Sequence, residues 1–200
     1  YLIPIARARG FKVDYYQVDV SSDIALPSTW DEYLKVLDGK QRHEIKRKMR
    51  NLQKSGEASY RSVSDKESVP EALETFLNLF PESRGDKAEF MTAEMETFFR
   101  SMAGSLTETG TLGFGLLEIA GKTAAMVMYF DYHDNIYLYN SAYDPEYKSL
   151  SVGIISKASC IQDSIQKGKK RFDFLKGAEK YKSYLGGQEI PLYACHITLR

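Results

Sequence analysis

The chain has 200 residues, 43% of them hydrophobic and 12% aromatic, which suffices for one domain with a sizeable core and argues against intrinsic disorder. Its 27 Lys and Arg balance 27 Asp and Glu, so a globally basic nucleic-acid binder is not indicated. Cys160 and Cys195 sit at no metal-binding spacing and make no disulfide framework, and no apolar run reaches the length of a membrane span, so reduced, buried thiols in a cytoplasmic protein are expected.

The chain opens on Tyr1 without a Met, shows no signal peptide, and reads as a piece of a longer one. Residues 1–27 read as one or two strands. They start with the apolar Tyr1-Leu2-Ile3-Pro4-Ile5 and continue through the aromatic and β-branched stretch from Phe11 to Val20. Thr29 with Glu32, or Ser28 with Asp31, forms a capping-box pattern ahead of Trp30, and Trp30, Tyr33, Leu34 and Leu37 recur at helical spacing. Ile45, Met49 and Leu52 give the next helix a narrow apolar stripe among many Lys and Arg, ended by Gly56. A short strand spans Ala58 to Val63. Val69, Leu73, Phe76, Leu77 and Phe80 mark a helix closed by Pro81. Met95, Phe98, Phe99, Met102 and Leu106 mark another, capped by Thr92 and stopped by Gly110.

The period then changes. Leu112 to Ile119, Thr123 to Asp131 and Ile136 to Tyr143 are strand-like runs, and their short Gly-, Asn- and Asp-containing connections predict antiparallel hairpins. After Asp144-Pro145 and a polar loop come a helix from Val152 to Lys167 stopped by Gly168, a strand from Arg171 to Leu175, a short helix from Ala178 to Leu185 and a last strand from Ile190 to Leu199. The second half thus reads β-β-β-α-β-α-β. That order predicts an α/β chain of the α+β kind, with one mixed sheet and helices on both faces.

This order, with Tyr137 to Glu146, Leu150 to Gly153, Gly168 to Phe172 and Asp173 to Lys182, resembles the FemAB-related, BioF2-like (CelD-like) acetyltransferases of the GNAT superfamily. The basic run Lys40 to Arg47 is similar to their basic helix, and the resemblance covers roughly residues 27–187. It implies a GNAT-like acyl-CoA N-acyltransferase fold in a bacterial, cytoplasmic or inner-membrane-associated protein. Residues 1–27 would be the tail of a preceding GNAT-like lobe or a linker strand, and 28–200 the acyltransferase domain.

The resemblance also implies roles. At Ser151-Val152-Gly153, backbone N–H groups at a helix start attract phosphate oxygens, and here the pyrophosphate of an acyl-CoA such as acetyl-CoA would sit, with Tyr143 at the strand end beside it. A plain capped helix with Ser151 as N-cap is the alternative. Lys182 would stabilise charge developing at the acyl donor. Tyr181, ahead of Tyr184, would protonate the leaving group. Asp173, on the strand face opposite Phe172 and Phe174, or Glu179 would take the proton of the attacking amine. Arg84 would meet an anionic acceptor or the cofactor, and Asp144 the acceptor. His43, His133 and His196 have no partners at ligand spacing, so no metal is expected. No Gly-x-Ser-x-Gly elbow is present, and Cys160 reads as core, which favours direct transfer over a covalent acyl-enzyme.

The expected activity is transfer of an acyl group, acetyl in the first instance, to an amine of a sugar, peptide or amino-acid acceptor. One alternative is a FemAB-type aminoacyltransferase drawing on aminoacyl-tRNA through the basic helix. The other is a catalytically degenerate GNAT-fold module in envelope polysaccharide synthesis.

Overall fold

The computed structural model describes residues 2–83 and 85–198. The strands are β1 (Lys12–Ala25), β2 (Ala58–Val63), β3 (Leu112–Ile119), β4 (Lys122–Tyr132), β5 (Asn135–Tyr143), β6 (Arg171–Lys176) and β7 (Gln188–Thr198). They form one sheet in the order β2-β3-β4-β5-β6-β1-β7. The helices are α1 (Leu2–Ala8), α2 (Trp30–Val36), α3 (Gly39–Lys54), α4 (Val69–Glu82), α5 (Gly85–Phe90), α6 (Ala93–Glu108), α7 (Val152–Gln166) and α8 (Lys180–Tyr184). Neighbouring strands are antiparallel except β5 and β6, which are parallel and joined by the α7 crossover. The second half is the mixed β-β-β-α-β-α-β unit that the sequence predicts.

Helices cover both faces of the sheet. On one, Met126 and Met128 of β4 pack with Phe76 and Phe80 of α4 and Phe99 of α6. On the other, Val127 and Tyr129 pack with Ala158 and Ile161 of α7 and Ile45 of α3. A strand buried on both faces reads as a continuous apolar run, as Ala124 to Tyr129 does. Thr29 and Glu32 complete the capping box of α2, Asp38 and Gln41 make a second one for α3, and Thr92 caps α6.

Several local readings change. The apolar start is a helix, α1, with Pro4 in the first turn, where a missing N–H costs nothing, followed by the helix formers Ala6, Arg7 and Ala8. Residues 12–25 form β1, which lies between β6 and β7, so the line drawn after residue 27 does not separate this strand from the sheet. Pro81 lies inside α4 and does not end it, because only the last turn loses a bond there and the Ser83 hydroxyl donates to the Leu79 carbonyl at 2.9 Å. The polar loop after Asp144 is a 3-10 turn, Pro145–Leu150, and α5 follows α4 unannounced. Cys160 is buried as expected, whereas Cys195, on the edge strand β7, is exposed.

Candidate active site

β5 and β6 pair over three positions only, Asn135↔Arg171, Ile136↔Phe172 and Tyr137↔Asp173. Two local irregularities separate them beyond that point. In β5, the register against β4 shifts between Tyr129↔Leu138 and Met128↔Asn140, which leaves Tyr139 as a β-bulge that bends the strand and re-aims its side chains. In β6, Leu175 takes a left-handed φ of +60°, and the Gly177 N–H donates to the Val20 carbonyl at 2.8 Å, which keeps the loop with β1. The wedge between the strands is a cleft of about 310 Å³. Leu138 to Ser141 line it from β5, Phe174 to Lys176 from β6, and Glu179, Tyr181 and Lys182 from the α8 segment. Lys87 of α5 closes it, donating to the Ser141 carbonyl while its ammonium lies 4.6 Å from the centre of the Phe80 ring.

Of the sequence-predicted residues, the structure brings Lys182, Tyr181 and Glu179 to this cleft. Lys182 is 2% exposed. Its Nζ donates to the carbonyls of Leu175 (2.9 Å), Lys176 (2.7 Å) and Gly177 (3.0 Å), and stands 2.8 Å from Glu179 Oε2. An ammonium has three N–H groups, and three carbonyls take them. Lys182 thus holds the strained loop together and charges the cleft wall, with its donors committed to the main chain.

Burial opposes ionisation of Glu179, but the Lys182 ammonium and the residue's own N–H outweigh it and hold the carboxyl below the usual range. Burial, followed by the Glu179 charge, pushes the Tyr181 phenol well up, so the phenol keeps its proton. Asp173 is not among the cleft-lining residues. It alternates with the buried Phe172 and Phe174, as predicted, and sits opposite Asp23 of β1. Its carboxylate accepts the Leu175 N–H at 2.7 Å. Burial pushes its carboxyl up, the Leu175 N–H opposes this, and the Asp23 charge adds to the rise. Asp173 therefore shapes the turn at Leu175.

A second group gathers at the start of α7. Ser151 holds the N-cap position in the left-handed region, φ +60°, and makes no side-chain cap. Its hydroxyl instead accepts from Lys48 Nζ of α3 at 2.8 Å. The Val152 side chain is core, so what it offers outward is its N–H. The N–H groups of Val152 and Gly153 lie in the first turn, where an α-helix provides no acceptor. Tyr143 packs on Gly153 so closely that a Cβ there would be 3.3 Å from its ring. Asp144 caps the 3-10 turn by accepting the Glu146 N–H at 2.8 Å. Arg84 lies outside the described residues.

Lys157 links the two groups, and the sequence reading passed over it. Its Nζ donates to the Gly153 carbonyl at 2.8 Å and lies 4.9 Å from the centre of the Tyr181 ring. The available signal was a Lys between Ser156 and Ala158, one turn after Gly153, on a helix that carries no acidic residue in its first turn.

Residues 39–183 match the acetyltransferase (GNAT) domain family. The chain belongs to this family. It therefore carries an acyltransferase domain. A search of curated proteins gave no match. Among solved structures, FemX superposes with a TM-score of 0.68 at 13% identity, over 94% of this chain and 65% of FemX. The C-terminal domain of a protein assigned as a lysylphosphatidylglycerol synthetase from Agrobacterium fabrum gives 0.64 at 10% identity, over 98% of this chain and 64% of that one. A conserved protein of unknown function from Bacteroides thetaiotaomicron gives 0.64 at 13% identity, over 95% of this chain and 62% of that one. At these identities the likeness is one of fold, and the chain spans less than two thirds of each relative's length. Among the described residues no cluster of His, Cys, Asp and Glu has metal-binding geometry, and no helix is long and apolar enough to cross a membrane.

Proposed function

We propose that the domain transfers an acyl group from an acyl-CoA thioester to an amine of a sugar, peptide or amino-acid acceptor, by direct attack in a ternary complex. The observation that carries this reading is the wedge between β5 and β6, joined through Lys157 to the start of α7. The two places suit the two ends of one extended donor. The diphosphate end goes to the Val152 and Gly153 N–H groups and Lys48, where unpaired donors, the helix dipole and a cation favour negative charge. The thioester end goes to the wedge.

There the amine nitrogen attacks the carbonyl carbon, the C–N bond forms, and the C–S bond breaks with its electron pair going to sulfur. Tyr181, still protonated at neutral pH, supplies the proton to the departing thiolate. Glu179, ionised and partly open to solvent, draws in the acceptor ammonium and passes its proton to water. Lys182 holds the loop and contributes a fixed positive field toward the carbonyl oxygen. The rate gain comes from positioning and fixed charges in a small cleft.

A second reading keeps this chemistry and changes the donor to aminoacyl-tRNA. The exposed Lys46, Arg50 and Lys54 of α3, near the start of α7, favour it. Calorimetric titration with CoA and acetyl-CoA tests the first reading. Wild type should bind, and Lys48→Met should bind about tenfold more weakly for the loss of one charge-assisted contact. Absence of binding by wild type refutes it, and retention of RNA at low salt, abolished by reversing the α3 charges, would then establish the second.

A further inference from the structure

Among the described residues, seven of the eleven exposed large hydrophobic side chains lie on α1, β1 and β7, at one end of the sheet. β6 pairs with β1 only from Ser21 onward, so from Lys12↔Thr198 to Gln17↔Tyr193 the strands β1 and β7 form a ribbon of two. No side chain from Lys12 to Val18 or from Tyr193 to Thr198 is buried. A ribbon of two strands is marginally stable in water, and this one gains from a covering surface. The Arg7 guanidinium lies 6.0 Å from the centre of the Tyr15 ring, and the Tyr15 and Tyr193 rings are 5.9 Å apart, so α1 and both strands share one patch. On α1, Leu2 is 61% and Ile5 53% exposed, three positions apart on one helical stripe, while only Ala6 is buried.

The charges of this patch are of one sign. Residues 2–18 and 190–198 contain Arg7, Arg9 and Lys12, and their one acidic residue, Asp14, is paired with Lys12 at 3.2 Å. α3 is basic too, but it exposes no large apolar side chain. Aliphatic tips, tyrosine rings and long cationic side chains at one place are the combination that an anionic lipid interface accepts: hydrocarbon below, amphipathic rings at the headgroups, cations reaching the phosphates. We infer that α1 and the adjoining end of β1 and β7 dock on an anionic lipid surface. Leu2 and Ile5 enter the acyl boundary, Tyr15 and Tyr193 sit at the headgroups, and Arg7, Arg9 and Lys12 meet lipid phosphates. Among the described residues no helix is long and apolar enough to cross a membrane, so this contact is peripheral. It stands whether or not the acyl-transfer reading holds.

The test is sedimentation of the full chain with vesicles of phosphatidylglycerol and phosphatidylcholine in equal parts, and with phosphatidylcholine vesicles alone. Wild type should bind the mixed vesicles, bind the neutral ones far more weakly, and leave the mixed ones at high salt. Each cation removed should weaken binding roughly fivefold, so Arg7→Gln, Arg9→Gln and Lys12→Gln together should weaken it by about 100-fold. Leu2→Ala with Ile5→Ala should weaken it by at least about tenfold, for the methylene groups withdrawn from the acyl boundary. These side chains are exposed, so the thermal melts of both variants should match that of wild type. Lys46→Gln with Arg50→Gln on α3 should keep most of the binding.

Absence of wild-type binding to the mixed vesicles would overturn the inference. So would binding that survives both the charge and the apolar variants, or binding that only the α3 variant removes, since either would put the lipid contact elsewhere. Sedimentation velocity without vesicles tests a different occupant: self-association of wild type that Leu2→Ala with Ile5→Ala abolishes would assign the patch to a second copy of the chain and overturn the lipid reading. A monomer that binds mixed vesicles through both sets of residues supports it.

Discussion

Replacing Lys182 by Met keeps the length of the side chain and removes its charge. The carbonyls of Leu175, Lys176 and Gly177 then lose a shared donor at 2.7–3.0 Å, in a place that is 2% exposed. The Glu179 partner adds little, since its side chain is 55% exposed and water takes over its solvation. Leaving a buried acceptor without its donor costs about 1–3 kcal/mol, so three carbonyls that partly regain water lose roughly 3–5 kcal/mol together. For a chain of this size each kcal/mol lowers Tm by about 2–4 °C, so the melting point should fall by about 6–20 °C. Urea and thermal denaturation followed by circular dichroism measure this directly. If Lys182→Met stays within about 1 kcal/mol of wild type, Lys182 does not organise the loop. The assignment of its three donors to the main chain would then be wrong, leaving its ammonium open to the acyl donor. Loss of turnover alone does not separate these roles, which is why stability is the deciding readout.

Gly115 of β3 lies beneath the Tyr60 ring, and a Cβ there would be 2.0 Å from its hydroxyl oxygen and 2.8 Å from Val127 Cγ2. Gly115→Ala should therefore cost about 1–3 kcal/mol of unfolding free energy, and Tyr60→Phe should relieve part of it; strict additivity in the double mutant would contradict the contact. Burial pushes the Cys160 thiol up to about 12, while Cys195 is exposed, so native protein should react with one equivalent of a thiol reagent and denatured protein with two. A Cys195→Ser variant that still reacts in the native state would place Cys160 outside the core. Arg47 beside Glu44 holds its carboxyl down at about 2, with burial opposing and Lys48 assisting. A lowered carboxylate stabilises the fold above its unfolded value of 4.5 and loses that contribution as pH falls toward about 2. The urea midpoint of Glu44→Gln should consequently fall less than that of wild type across this window, and parallel curves would argue against the ion pair.

Much of the framework was legible because it follows from periodicity. β2 and β3 carry the predicted boundaries, and β4, β5 and α7 differ from them by a residue at one end or both. Their apolar residues alternate or recur with the period of the element, and Gly110, Gly121 and Gly168 fall where the backbone needs a positive φ. The failures share a cause. Tyr1 to Ile5 are too few residues to distinguish a helix from a strand by period. Asp173 was placed correctly on its strand face, but a face of a strand does not reveal which neighbour it meets, and that neighbour is β1.

The wedge itself rests on features that residue types do not announce. A bulge at Tyr139 has no sequence signature inside an aromatic strand, and a left-handed Leu175 is disguised by the nearby Gly177, which looks sufficient for the turn. Asp173 takes the Leu175 N–H and Lys182 takes the Leu175 carbonyl, so both main-chain polar groups of the strained residue are satisfied by side chains. A residue held from both sides in an unfavourable conformation stays there only while those side chains remain. That is how two residues expected to act on substrate come to shape the site. They hold the Leu175 turn at the end of β6, and the cleft beside it is where Tyr181 and Glu179 meet. Lys182 spends its donors on three carbonyls of a loop, and its removal should be read in stability.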